Sequence, residues 1–200
     1  MEDSKPPLTN LDIGANIGNF SIFCHNLWPN CYIHMIEGNE ACKENLKCLP
    51  FGYDIKLLSD STKEVIYYID KSDKKSTGNS YYKEITRHFK DPLEIKLSTS
   101  TLNDMEFNVN FDFIKLDTQG SELDILKGGD KLVECAKYIL LEASIKPYNE
   151  NAPLFNDIVE YLSSKEFVDY TIIEDHYWSD YNDPIYNEGD LFQVDVIFKR

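Results

Sequence analysis

Residues 11–20 read LDIGANIGNF, and the fold turns on how that stretch is read. LTNLDIG has the length and apolar character of a short buried strand, while NFSIFCHNLW behind it carries apolar residues at helical intervals until Pro29 stops them. Between strand and helix stand Gly14, Asn16 and Gly18. A glycine here can take positive φ or let backbone approach a ligand closely, and Asn16 is a candidate cap for the helix.

Working outward, the same rhythm repeats. CYIHMIEG is a second apolar run ending in an acid, NEACKENLKCL has helical composition closed by Pro50 and Gly52, and YDIKLLSD returns to strand character. Residues 71–92, KSDKKSTGNSYYKEITRHFKDP, interrupt the rhythm with a polar, lysine-rich segment that reads as a loop or lid. Then FDFIKLD reads as strand, SELDILKGGDKLVECA as helix, YILLEAS as strand and PLFNDIVEYLSSKEF as helix, with Leu154, Phe155, Ile158, Val159 and Leu162 on one face. VDYTIIED and LFQVDVIF close the pattern, and the turn-rich link between them predicts a hairpin with an antiparallel strand near the sheet's end. Alternation of strand and helix predicts an α/β architecture with a parallel sheet, organised as one domain over residues 1–200.

Composition narrows the partners. Twenty basic against 35 acidic residues give a net charge of −15, which opposes attraction to nucleic-acid phosphates and anionic lipid. No apolar run approaches the roughly 18 residues of a membrane helix, and MEDSKPPLTN lacks the apolar centre of a signal peptide. A soluble, cytoplasmic protein is the expectation. The five cysteines, 24, 31, 42, 48 and 135, are odd in number and show no C-x-x-C pair, which predicts buried, reduced thiols. No metal-ligand motif assembles in the sequence, and no metal is expected.

Ligands of open α/β sheets sit beyond the carboxyl ends of the strands, against unpaired helix N–H groups. Asp12, Gly14, Asn16 and Gly18 occupy that place after the first strand, and Glu37 occupies it after the second, where a carboxylate can accept from both hydroxyls of a ribose. A dinucleotide fingerprint would place a glycine at the centre of the turn. Here the turn reads G-A-N-I-G, which weakens the nicotinamide-cofactor reading without choosing its replacement.

The wider pattern resembles the FkbM family of S-adenosylmethionine-dependent methyltransferases. The stretches that carry the resemblance are LDIGANIGNFS, the acid in MIEGNEA, LLSDS, FDFIKLDTQGSELDILKGG, YILLEASIKPYNENAPLF and VDVIFKR, in family order. It implies a Rossmann-like class I methyltransferase fold: a mostly parallel seven-stranded sheet with an antiparallel C-terminal strand and helices on both faces. It implies S-adenosyl-L-methionine as cofactor, with Asp12, Gly14, Asn16 and Gly18 around its methionine part, Glu37 on the ribose, and Ser59 and Asp60 near the adenine. Two departures stand out: about ten residues precede the first strand, where members often have a helical segment, and Gln119 replaces an acid common in the motif after the fourth strand.

Methyl transfer needs alignment of the partners, and a hydroxyl acceptor gains from a base. Asp117, at the end of the fourth strand, is the leading catalytic candidate, and helix capping is its alternative role. Glu142 interrupts the apolar YILLEAS, where an unpaired carboxylate would be costly, so it must find a partner or face the cleft. His176 follows the sixth strand and has the pKa range of a base near neutral pH. Lys115 is placed for an ion pair with Asp117, Glu122 for a first-turn helix acid, and Tyr81, Tyr82, Arg87 and His88 for a substrate lid. The expected function is O-methylation of a small-molecule, sugar-like or glycan acceptor. An NAD-linked oxidoreductase and a non-catalytic nucleotide-pocket protein are the alternatives.

Overall fold

Strand β1 (Thr9–Ile13) is flanked by parallel neighbours on both sides, so its residues are sealed whichever way they point. Leu11 and Ile13 are buried as the apolar pattern requires, and Asn10 and Asp12 are buried with them. Those neighbours are β2 (Tyr32–Glu37) and β6 (Phe113–Leu116). The computed structural model describes residues 7–89, 91–180 and 185–200, with the side chain of His88 and all of Lys90 outside the described residues.

The main sheet is completed by β3 (Gly52–Ile55), β7 (Tyr138–Ser144), β8 (Asp169–Tyr177) and β9 (Leu191–Lys199), in the order β3-β2-β1-β6-β7-β9-β8. The first five run parallel, and β9 runs antiparallel to both β7 and β8. The antiparallel strand therefore lies one place in from the edge. Its Val194, Val196 and Phe198 are fully buried, a contribution of roughly 1.5–3 kcal/mol each.

Helices cover both faces. On one side α1 (Asn19–Leu27) and the short α2 (Lys43–Lys47) enclose Cys24, Ile33, Met35 and Leu46. On the other, α3 (Glu122–Gly128) and α5 (Phe155–Ser164) close a larger core containing Leu11, Ile13, Ile114, Leu116, Ile139 and Leu141. The apolar stripe of α5 turns inward through Ile158 and Leu162, and its Tyr161 hydroxyl donates to Leu126 O at 3.0 Å.

Several sequence expectations are corrected. SELDILKGGDKLVECA forms two helices, α3 and α4 (Asp130–Cys135), broken at Gly129. The glycines are there for proximity: a Cβ on Gly128 would stand 2.1 Å from the carbonyl oxygen of Ser59. NEACKENLKCL splits into a 3-10 turn over Glu40–Cys42 and then α2. The five thiols are all unpaired, but only Cys24 and Cys42 are buried, while Cys48 and Cys135 are exposed.

The largest addition is a second, two-stranded sheet, β4 (Glu64–Ile69) with β5 (Leu93–Ser98), paired antiparallel from Glu64↔Ser98 to Ile69↔Leu93. The segment between them, residues 70–92, is thus the long tip of a hairpin. Mutual backbone hydrogen bonds between Tyr68 and Ser80 fold that tip back against β4.

Candidate active site

The β1–α1 turn is held by backbone. Gly14, Asn16 and Gly18 have φ of 73°, 49° and 89°, and the N–H groups of Gly14 and Ala15 both donate to Ile36 O. A Cβ on Gly14 would lie 1.8 Å from the carbonyl oxygen of Asp117, so the ends of β1 and β6 meet only because this residue has no side chain. Asn16 does not cap α1; that place is taken by Gly18, with no side-chain cap. Instead Asn16 Oδ1 accepts from Ile17 N at 2.8 Å and its Nδ2 donates to Lys75 O at 2.9 Å, fastening the turn to the 70–92 segment.

Glu37 ends β2 and is only 8% exposed. One carboxylate oxygen accepts from Asn16 N at 2.7 Å and the other from Asn39 N at 2.8 Å. Burial pushes its pKa above the ordinary range, against the pull of those two N–H groups. Each oxygen retains a lone pair for a further donor.

Beneath the turn lies a buried charge cluster. Asp12, 0% exposed, accepts from Ser21 Oγ at 2.7 Å and faces Lys115 Nζ at 3.4 Å. Lys115 donates to Gly14 O at 3.0 Å and faces Asp117 at 3.4 Å. Burial would pull the lysine pKa down, but Asp12 and then Asp117 more than offset this and hold the ammonium charged. Asp12 therefore supports the turn from below and does not line the cleft above it.

That cleft is a narrow slot of about 60 Å³ between Ile36, Leu58 and Ile125, with Glu37, Asn16 and Asp117 supplying polar groups. Ser76, Thr77, Asn79, Ser80 and Tyr81 roof it, so the 70–92 segment is positioned as a lid. Tyr81 and Tyr82 both donate to Asp124 Oδ2, at 3.0 and 2.9 Å, and Asn39 Nδ2 donates to Lys74 O at 2.6 Å. Arg87 pairs with Asp180 at the far end. Ser59 and Asp60 do not line the slot: Ser59 hydrogen-bonds Tyr81 behind it, and Asp60 turns to Lys63 at 2.8 Å. The bond to Lys63 is the main reason the Asp60 carboxyl lies below its usual range.

Two further cavities adjoin the slot. One, of about 270 Å³, is bordered by Asn16, Phe20, Lys115, Asp117, Glu142 and Asp195. The other, of about 350 Å³, is bordered by Glu84, Gln119, Tyr148, Trp178, Asp180 and Phe192. Thr77, on the lid, borders all three.

Acids meet where these cavities join. Gln119, at φ 56°, donates through Nε2 to Asp117 at 3.1 Å and to Glu142 at 2.8 Å, and Gln193 Nε2 adds a second bond to Glu142 at 3.0 Å. Burial, then the charges of Asp117, Glu122 and Asp195, push the Glu142 pKa up to about 8. Glu122 stands apart in function. It accepts from Thr118 N, Thr118 Oγ1 and Gly120 N and so holds the loop that carries Gln119. His176 lies within β8, opposite Gln193, and not in a turn; its Nε2 is 3.4 Å from Asp195 Oδ1.

The methyltransferase FkbM domain family matches residues 12–169 of this chain. The chain belongs to that family. Among solved structures, its fold is similar to that of methyltransferase FkbM from Methylobacillus flagellatus KT, with a TM-score of 0.56 and 15% identity over 95% of this chain and 43% of the other. It spans less than half of that protein. The plantazolicin methyltransferase BpumL, in complex with a pentazolic desmethylPZN analog and SAH, gives a TM-score of 0.52 with 10% identity over 98% of this chain and 78% of that one. Precorrin-6y C5,15-methyltransferase from Geobacter metallireducens GS-15 gives 0.50 with 16% identity over 99% and 84%. No curated protein sequence matches. At these identities the likeness shows the fold: the seven-stranded sheet of the FkbM chain is that of methyltransferases.

Sequence reasoning brought Gly14, Asn16, Glu37 and Asp117 to one cleft and missed Asp195, Gln193 and Thr77. Asp195 was legible only as the outward residue of an alternating strand. Its place opposite Glu142 depends on the β7–β9 register.

Proposed function

We propose that this FkbM chain is a methyltransferase whose donor, S-adenosylmethionine, lies between the β1–α1 turn and Glu37. The observation that carries the reading is Gly14: a backbone cradle closed to any side chain, directly beside the end of β6 and its Asp117. Around it the residues fit such a donor. Ile36, Leu58 and Ile125 offer apolar faces for a base, Glu37 keeps a lone pair on each oxygen for ribose hydroxyls, and Asn16 borders the slot beside Gly14, while Gly18 packs away from it against Leu49 and Leu46. The donor supplies a methyl group on a positively charged sulfur. At about 60 Å³ the slot is far below the roughly 300 Å³ of a usual small-molecule pocket, so the Tyr81–Asp124 and Asn16–Lys75 ties of the lid must loosen for entry.

The acceptor side is proposed to be the pair of cavities meeting at Thr77, with Asp117 and Glu142 facing an incoming hydroxyl. Lys115 and Gln119 fix Asp117 from two sides, which is the alignment that in-line displacement needs. Aromatic Tyr148, Trp178 and Phe192 beside carboxylates suit a hydroxylated, sugar-like small molecule, apolar on its faces and polar at its edge. The donor set therefore favours oxygen as the methylated atom, with His176 placed on the same sheet face as Glu142.

Calorimetry with S-adenosylmethionine, S-adenosylhomocysteine and NAD tests the donor. Donor and product should bind and NAD should not; NAD binding alone overturns the reading. A labelled-methyl screen over sugars, lipids and hydroxylated metabolites then tests the acceptor, and transfer to nitrogen or carbon compounds alone would remove the O-methylation part.

A further inference from the structure

Glu142, His176 and Asp195 come from three strands, β7, β8 and β9, and each offers one ligand-type atom, all within 4.8 Å of one another. The main-chain register accounts for the convergence. Glu142 is paired with Asp195 across β7 and β9, and His176 is paired with Gln193, two residues from Asp195 and hence on its face. We propose that these three residues form a binding site for one divalent first-row cation of the Mn²⁺ or Zn²⁺ class.

Three observations point to a cation. The Nε2 atom of His176 is buried and makes no hydrogen bond, although a buried ring nitrogen ordinarily finds a partner. Its 3.4 Å separation from Asp195 Oδ1 is too long for a good hydrogen bond, yet equals the spacing of about 3.4 Å between two ligands bonded at about 2.1 Å to a tetrahedral ion. Second, negative charge is in excess: Asp117, Glu122 and Glu174 act on the two carboxylates, while the neighbouring cation, Lys115, is engaged with Asp12 and Asp117.

Third, one ligand is already oriented. Gln193, buried at 5% exposure, and Gln119 both donate to the same oxygen of Glu142, Oε2, and this fixes the carboxylate. The His176 side chain remains 29% exposed, which leaves an entry path from solvent. One imidazole and two carboxylates make a mixed nitrogen and oxygen set, suited to Mn²⁺ or Zn²⁺ more than to an all-oxygen ion such as Ca²⁺. Glu142 and Asp195 also border the 270 Å³ cavity beside Asp117, so an ion here would face the proposed acceptor space.

The test uses the intact chain, stripped with a chelator and titrated with Mn²⁺ while the free-ion electron paramagnetic resonance signal is followed, and separately with Zn²⁺ by calorimetry. One saturable ion per chain is expected, with a nitrogen coupling to the bound Mn²⁺ that disappears in His176→Gln. Affinity should fall at least tenfold in His176→Gln and in Asp195→Asn, and stay at the parent value in Glu94→Gln, on the exposed strand β5. No saturable binding of either ion, or an unchanged affinity in both ligand variants, overturns the site. If Asp195→Asn disturbs the strand pairing, the nitrogen coupling of the parent protein and its loss in His176→Gln decide the matter. Neither donor nor acceptor is present in these measurements, so they stand or fall independently of the methyl-transfer reading.

Discussion

The two ends of the cleft are built from different materials. At the β1–α1 turn the shape is set by main chain: positive φ at three positions, N–H groups on Ile36 O, and a glycine pressed against a carbonyl. At the β6–β7–β9–β8 end it is set by side chains, with Asp117, Glu142, Gln119, Gln193, His176 and Asp195 reaching one another from four separate segments. Main-chain shape written in a short contiguous stretch is specified locally. Side-chain shape assembled from distant strands is specified only once the sheet has closed.

Lys115 joins the two ends, and changing it should have the largest effect. Lys115→Met leaves the fully buried Asp12 without its cation, for an expected loss of about 3–5 kcal/mol in urea unfolding. Donor affinity should fall along with stability, because Gly14 O loses its lysine. If donor binding survives while only stability falls, the two ends are less connected than this geometry implies.

Gly14→Ala should break the turn where it meets the end of β6. Its Cβ must displace Asp117 backbone, and S-adenosylhomocysteine affinity is expected to drop at least about a hundredfold, or 2.7 kcal/mol, by calorimetry. Glu142→Gln is the converse. Product affinity should hold within about twofold while the rate of methyl transfer falls roughly thirtyfold, or 2 kcal/mol.

A smaller effect is expected from acid. Burial holds the Glu37 carboxyl above its ordinary range, so it gains a proton, and loses acceptor capacity, at a higher pH than a free glutamate does. Product affinity should therefore decline as pH falls, beginning above the usual carboxylate range, and in Glu37→Gln this decline should be absent at an affinity already about tenfold lower. The most local effect belongs to the lid. Replacing Tyr81 and Tyr82 together by Phe removes both bonds to Asp124 and should cost about 1–3 kcal/mol of lid closure. Amide exchange over residues 74–80 should quicken accordingly, with the exchange of β1 unchanged.

The same contrast explains what could be read from the sequence. LDIGANIGNF announces strand, turn and helix because each signal lies within ten residues, and the apolar alternation of LFQVDVIF announces a sheet strand. The β4–β5 hairpin was hidden because its strands are separated by the polar 70–92 segment, so no turn signal joined them. Asn16 was misread as a cap because asparagine favours both caps and left-handed backbone, and only the lid's Lys75 decides between them. Asp12 drew attention as an acid at a strand end, yet its direction under the turn is set by Ser21 and Lys115. His176 could not be tied to Glu142 and Asp195, since the β8–β9 register shifts between Ile172 and Glu174 and again between His176 and Tyr177.

The reversed strand carries a consequence for how the chain assembles. Because β9 lies between β7 and β8, the strand made earlier depends on the one made later: β8 reaches the sheet only through Leu191–Lys199, which pairs with Tyr138–Ser144 on its other side. Until β9 exists, Tyr170 and Ile172 of β8 have no strand beside them to pair with. Completion is thus a late, long-range event, and the His176 end of the cleft is the last part of the molecule to acquire its shape.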